Sequence, residues 1–225
     1  MILALPPPTA LTVSPARLTL VAPASRRVEL RNTGSERLRV EVARRQLAGR
    51  GANPWLTIRP ASFVLRPGAG AALTLRARGA HASPGDHELR LLFTARPLNG
   101  YRVGIRLRLG VGLRVRVAGR IERSVDIKGL TVRKDRHARV LLLSLANRGN
   151  VTEQLAGRVA VTLIRKGRVI SRLRAHTRHA VVFAGARTVI ALRYSGHAHG
   201  NATAVATVAL GPGVRRVERR YRLRL

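Results

Sequence analysis

Cysteine is absent from this 225-residue chain, which excludes disulfides, thiol nucleophiles and thiolate metal sites. Acid is scarce: 10 aspartates and glutamates stand against 43 lysines and arginines, a formal net charge of +33. Aromatic residues make up 3% of a chain that is 45% hydrophobic, so a core must be built from Val, Leu, Ile and Ala. No apolar run reaches the roughly 18 residues of a membrane-spanning helix. Lysine occurs only at Lys128, Lys134 and Lys166, so arginine carries the charge. Two origins fit that bias: a GC-rich coding preference, or selection for an anionic partner, since charge speaks to association and not to fold.

What is present alternates with a period of two. Trp55 to Leu75 organises the chain: Trp55 and Thr57 oppose Leu56 and Ile58, Pro60 ends that segment, and Phe63 and Leu65 share a face. Arg66-Pro67-Gly68 then turns the chain before Leu73 and Leu75 resume. Recurrent proline and the spacing of two both oppose a helix. The order is strand, turn, strand.

Upstream, residues 1–10 read as an N-terminal arm or a signal-peptide remnant, with Ile2 to Leu5 apolar ahead of Pro6-Pro7-Pro8. A first strand is split by Pro15, with Leu11 to Ser14 on one side and Leu18 to Leu20 on the other. Val28 and Leu30 point inward before a turn at Asn32-Thr33-Gly34-Ser35, where asparagine and glycine tolerate left-handed backbone. Leu38, Val40 and Val42 follow, then a polar connection from Arg44 to Pro54, and Leu89, Leu91 and Phe93 line one face of a strand from Gly85 to Arg96.

The longest alternation is Arg102 to Val117. Val103, Ile105, Leu107, Leu109, Val111, Leu113, Val115 and Val117 hold one parity, while Arg102, Arg106, Arg108, Arg114 and Arg116 hold the other. One side is predicted to be core and the other wet and cationic. Gly110 and Gly112 sit on the arginine side, where they would allow a bend or bulge.

The second half repeats the plan. Asn147-Arg148-Gly149-Asn150 follows Leu143 and Leu145 as Asn32-Thr33-Gly34-Ser35 follows Val28 and Leu30; Gly200 to Pro212 mirrors Gly85 to Pro97; Phe183-Ala184-Gly185 mirrors Arg66-Pro67-Gly68. The predicted fold class is all-β: two tandem immunoglobulin-like sandwiches, at 11–118 and 124–225, joined near Ala118 to Arg123.

Ser14-Pro15 with Leu18 and Leu20, the Arg31-Asn32-Thr33-Gly34 turn, Trp55 to Pro60, Leu65-Arg66-Pro67-Gly68 and Pro84-Gly85 before a strand together resemble the PapD-like fold of pilus chaperones and major sperm protein domains. The resemblance covers about residues 11 to 118. It implies a protein-binding chaperone, in which an arginine of the first strand and a lysine of the last anchor a pilin carboxylate. Arg17 matches the arginine; Gly110, Gly112 and Arg114 stand where the lysine would be. The two-domain layout is also similar to secreted wall-associated proteins of Gram-positive bacteria.

No catalytic constellation is apparent, as the acids have no spacing that would hold two carboxylates around a substrate. His197-Ala198-His199 offers two imidazoles without a third ligand, His176 and His179 lie in a strongly cationic stretch, and Gly68-Ala69-Gly70 lacks the Lys-Ser/Thr of a phosphate loop. The expectation is therefore a protein with no catalytic residues, no cofactor and no metal. Three binding modes remain. The first is strand pairing with another protein along Arg102 to Val117 or an edge strand. The second is capture of an anionic wall polymer or lipid head groups by the arginine faces. Nucleic acid is the third, disfavoured because Trp55, Tyr101, Tyr194 and Tyr221 do not cluster and no recognition helix is apparent. The partner-binding candidates are Arg17, Arg106, Arg108, Arg114 and Arg116, in an extracytoplasmic protein of the periplasm, cell wall or secreted fraction.

Overall fold

The computed structural model describes residues 9–49, 54–79, 81–98, 105–135, 138–175, 180–210 and 216–225. Within them every regular element is a strand, and no helix is long and apolar enough to cross a membrane. The chain divides into two compact units, Met1–Gly119 and Arg120–Leu225.

The first unit contains β1 (Leu11–Ser14), β2 (Arg17–Ala22), β3 (Ala24–Asn32), β4 (Leu38–Ala48), β5 (Leu56–Arg59), β6 (Ser62–Leu65), β7 (Gly70–Ala77), β8 (Gly85–Pro97) and β9 (Leu107–Val117). One sheet runs β1-β3-β7-β5 and the other β2-β9-β8-β4-β6. The chain changes sheets at β1–β2, β2–β3 and β5–β6, where the Ser14–Pro15, Ala22–Pro23 and Arg59–Pro60 peptides are cis. A proline suits such a crossing because it removes the ladder donor there. Between the sheets lie Val28, Leu30, Leu73 and Leu75 from one and Leu89, Leu91, Phe93 and Val115 from the other, all essentially sealed from solvent. Trp55 is buried with them, edge-on to the ring of His87 at 5.0 Å. The connection expected from Arg44 continues instead as strand to Ala48, with a bulge between Gln46 and Ala48, because β8 extends far enough to pair it.

The second unit contains β10 (Val125–Asp135), β11 (Ala138–Asn147), β12 (Glu153–Gln154), β13 (Val159–Arg165), β14 (Arg168–Arg174), β15 (Val181–Val182), β16 (Arg187–Tyr194), β17 (Asn201–Val208) and β18 (Val217–Arg224). Its sheets run β10-β11-β16 and β14-β13-β17-β18, with β12 and β15 forming a short pair. Leu141, Leu143, Leu145, Val159, Val161, Leu163, Ala204 and Ala206 fill its core. Among the described residues no strand pairs β16 as β5 pairs β7; the β12–β15 pair matches the start of β4 with β6, and β14 adds a hairpin partner to β13.

The internal repeat extends to individual hydrogen bonds. Asn32 is fully buried and its Nδ2 donates to the carbonyls of Glu36 (2.7 Å) and Leu65 (3.3 Å), while its Oδ1 accepts from Gly34 N at 3.0 Å. Asn147 does the same with Val151 (2.7 Å), Val182 (3.2 Å) and Gly149 N (2.9 Å). Gly68 and Gly185 share a φ of 69° in matching turns. The sequence pattern placed these turns correctly, but not for the reason expected, since Gly34 and Gly149 are not left-handed either. Neither asparagine is left-handed; the side chain of each satisfies three backbone groups.

Candidate strand-pairing site

β9 is a strand with two different edges. Toward β8 it pairs without interruption from Gly85↔Val117 to Ala95↔Leu107. On its other side β2 runs parallel and covers only the second half, from Arg17↔Gly112 to Ala22↔Val117. Among the described residues nothing pairs with that edge over Leu107 to Val111. The backbone N–H and C=O groups of alternate residues along this five-residue stretch are therefore presented as a template for another strand.

The side chains along this stretch change character with the backbone. On the core parity Val111 and Leu113 are buried, Leu109 and Leu107 are half-buried, and Ile105, just ahead of the strand, is 52% exposed. The apolar alternation thus runs out past the end of its own sandwich. Residues 101–104, where the strand was expected to begin, lie outside the described residues.

The opposite face of β9 departs from a uniformly wet, cationic surface. Arg116 makes a two-pronged pair with Asp86, Nε to Oδ1 at 2.7 Å and Nη2 to Oδ2 at 2.8 Å, and the Asp86 carboxylate is fully buried. Arg114 is paired with Glu88. The β8–β9 register brings these groups face to face, Asp86↔Arg116 and Glu88↔Arg114. Of the five candidate arginines, these two are engaged within the sheet. Arg106, Arg108 and Arg17 are exposed.

Gly110 and Gly112 introduce no bulge, since the β8–β9 register runs through both without a shift. They make room. A Cβ on Gly110 would stand 3.1 Å from Cδ of Arg90, and one on Gly112 would stand 3.8 Å from Cγ of Arg17. The stems of two arginines therefore lie across the two glycines, one from β8 and one from β2. Cross-strand pairing continues the row from Arg17 through Gly112 and Arg90 to Arg45 of β4, with no acid in it. Arg90 was not singled out from sequence; the signal was the pair of glycines on an otherwise long-chain face.

The remaining candidates do not assemble. Among the described residues no three His, Asp or Glu side chains are placed to hold a metal ion. His199 meets the guanidinium of Arg139, and His176 and His179 fall outside the described residues.

No protein-family model matches the chain, and no curated protein does so either. Solved structures do. The YadV chaperone superposes with a TM-score of 0.51 at 15% identity, over 95% of this chain and 99% of its own. A chain from a chaperone–tip adhesin complex of CFA/I fimbriae biogenesis gives 0.54 at 11% identity, covering 94% and 98%. A chain from the CsuC–CsuE chaperone–tip adhesin pre-assembly complex of Acinetobacter baumannii gives 0.51 at 14%, covering 93% and 97%. At these identities the likeness is one of fold: two immunoglobulin-like sandwiches, the first PapD-like.

Proposed function

We propose that the chain is a non-catalytic, chaperone-like protein of the cell envelope, which binds another protein by adding a strand to β9. The observation that carries this reading is the open edge from Leu107 to Val111, combined with an apolar alternation at Ile105, Leu107 and Leu109 that its own sandwich leaves partly uncovered. Main-chain hydrogen bonds supply affinity in this mode and the alternate side chains supply selectivity. The partner is a subunit with an incomplete sandwich, able to bury those three side chains in its own core. Arg17, with Arg90 beside it across Gly112 and Gly110, is placed to receive a carboxylate at the end of the paired segment; Arg106 and Arg108 border it. A partner of this kind implies a location outside the cytoplasm.

The test compares wild type with L107E/L109E in capture from a native envelope extract, washed with about 0.5 M salt so that exposed charge contacts are screened. A defined protein held by wild type and lost by the variant, with hydrogen exchange slowed across residues 107–111 when it binds, is the expected result. Equal retention by both proteins would exclude β9 as the pairing strand.

A further inference from the structure

A second feature lies wholly within the second unit and stands independently of the strand-pairing reading. Where β13 turns into β14, Arg165-Lys166-Gly167-Arg168 forms a two-residue hairpin in which Lys166 (φ 48°) and Gly167 (φ 75°) are both left-handed. Asparagine is the usual residue at the first of these positions; here a lysine occupies it and carries its ammonium to the tip of the turn. Across the sheet, β18 is an edge strand whose Arg222 and Arg224 stand opposite Thr203 and Asn201 of β17.

Arg165, Lys166, Arg222 and Arg224 line one pocket of about 490 Å³, with Asn201 and Thr203 among the residues between them and no acid in the lining. Arg165 holds the opposite parity to Arg222 and Arg224 and borders the pocket from the Gly200 end of β17, its Nη2 lying 4.0 Å from where a Cβ on Gly200 would stand. Four cations around one open pocket repel each other unless an anion sits among them. Guanidinium forks with a hydroxyl and an amide nearby match the oxygens of a phosphoryl group, which accept several hydrogen bonds at once.

We propose that this pocket binds a multiply charged phosphate anion. Its size accommodates linked phosphoryl groups, and its charge favours more than one. Such groups are carried by soluble polyphosphates and by phospholipid head groups.

The three lysines give a direct readout. Acylation of the full-length protein with an amine-reactive reagent, mapped by mass spectrometry, is to be run alone, with inorganic tripolyphosphate, and with phosphatidylglycerol vesicles. Protection of Lys166 by tripolyphosphate, with Lys128 and Lys134 unprotected, is expected for a soluble polyphosphate; protection of Lys166 by vesicles alone assigns a head group. Equal protection of all three lysines, or none at Lys166 with either probe, overturns the site, because a diffuse field of +33 does not choose between lysines. A second measurement guards against that field. Tripolyphosphate affinity should fall at least about tenfold in K166Q/R222Q/R224Q, and less than about threefold in R133Q/R187Q/R193Q, which removes equal charge from the β10-β11-β16 sheet. Equal losses in the two variants would also overturn it.

Discussion

Replacing Arg116 by glutamine separates arginines that hold the first sandwich together from arginines that face outward. Asp86 has a fully buried carboxylate, and Arg116 supplies it with two parallel hydrogen bonds at 2.7 and 2.8 Å. Removing one member of a buried pair takes away the main compensation of the other's charge, which costs up to about 3–5 kcal/mol. Arg116 itself is 39% exposed, so water moderates the pair and the lower end, about 3 kcal/mol, is the expected loss in R116Q. For a unit of about this size that corresponds to a fall in Tm of roughly 10–15 °C. R108Q, on the same face of β9 but exposed, should stay within about 0.5 kcal/mol of wild type. The assay is unusually clean, because Trp55 is the chain's only tryptophan and is buried in the first sandwich. Its fluorescence during denaturant unfolding reports that unit. The double variant D86N/R116Q should recover much of the loss, with a coupling of about 2 kcal/mol, since the uncompensated charge goes with its partner. An R116Q loss under about 1 kcal/mol, or one matched by R108Q, would refute the argument that the pair is a buried structural element.

Three further predictions address the second sandwich and the repeat. N32A should cost about 2–4 kcal/mol, because it takes the side-chain partner from two buried backbone groups and one part-buried one, and should shift the Trp55 transition. N147A should cost a similar amount and leave that transition in place, as followed by far-ultraviolet circular dichroism beside fluorescence. G149A should destabilise the second unit by more than about 2 kcal/mol, because a Cβ there would run into the Glu122 carbonyl and stand 2.9 Å from Ser124 N, which are backbone atoms. The hydrogen bond from Lys128, aided by Arg148, holds the Asp126 carboxyl below its ordinary value of 3.8. A lowered folded value means that this stabilisation is present above the unfolded value and is lost as pH falls through the folded one. The second unit's acid unfolding should therefore be steeper below about pH 4 in wild type than in D126N, and equal steepness would argue against the Asp126 contribution.

Features that depend on neighbours a few residues away were legible in the chain. Alternation of apolar and polar side chains placed Val28, Leu30, Leu73, Leu75, Leu89, Leu91 and Phe93 on core faces, because a strand sends successive side chains to opposite sides whatever it pairs with. Turn chemistry located Gly68 and the two asparagine turns, and their spacing disclosed two sandwiches in tandem. Pairing between distant strands emerges only once the chain is folded. That β2 stops short of Leu107–Val111 follows from where the chain crosses between sheets, and alternation within β9 carries no trace of it. That Arg114 and Arg116 face carboxylates while Arg108 faces Thr94 depends on the β8–β9 register, and the five arginines looked alike until it was set. Glycines 110 and 112 suggested a bend or bulge; no bulge forms, and they make space for arginines from two other strands. The pocket of Arg165, Lys166, Arg222 and Arg224 joins segments more than fifty residues apart, and charge counted along a chain does not reveal which cations will meet.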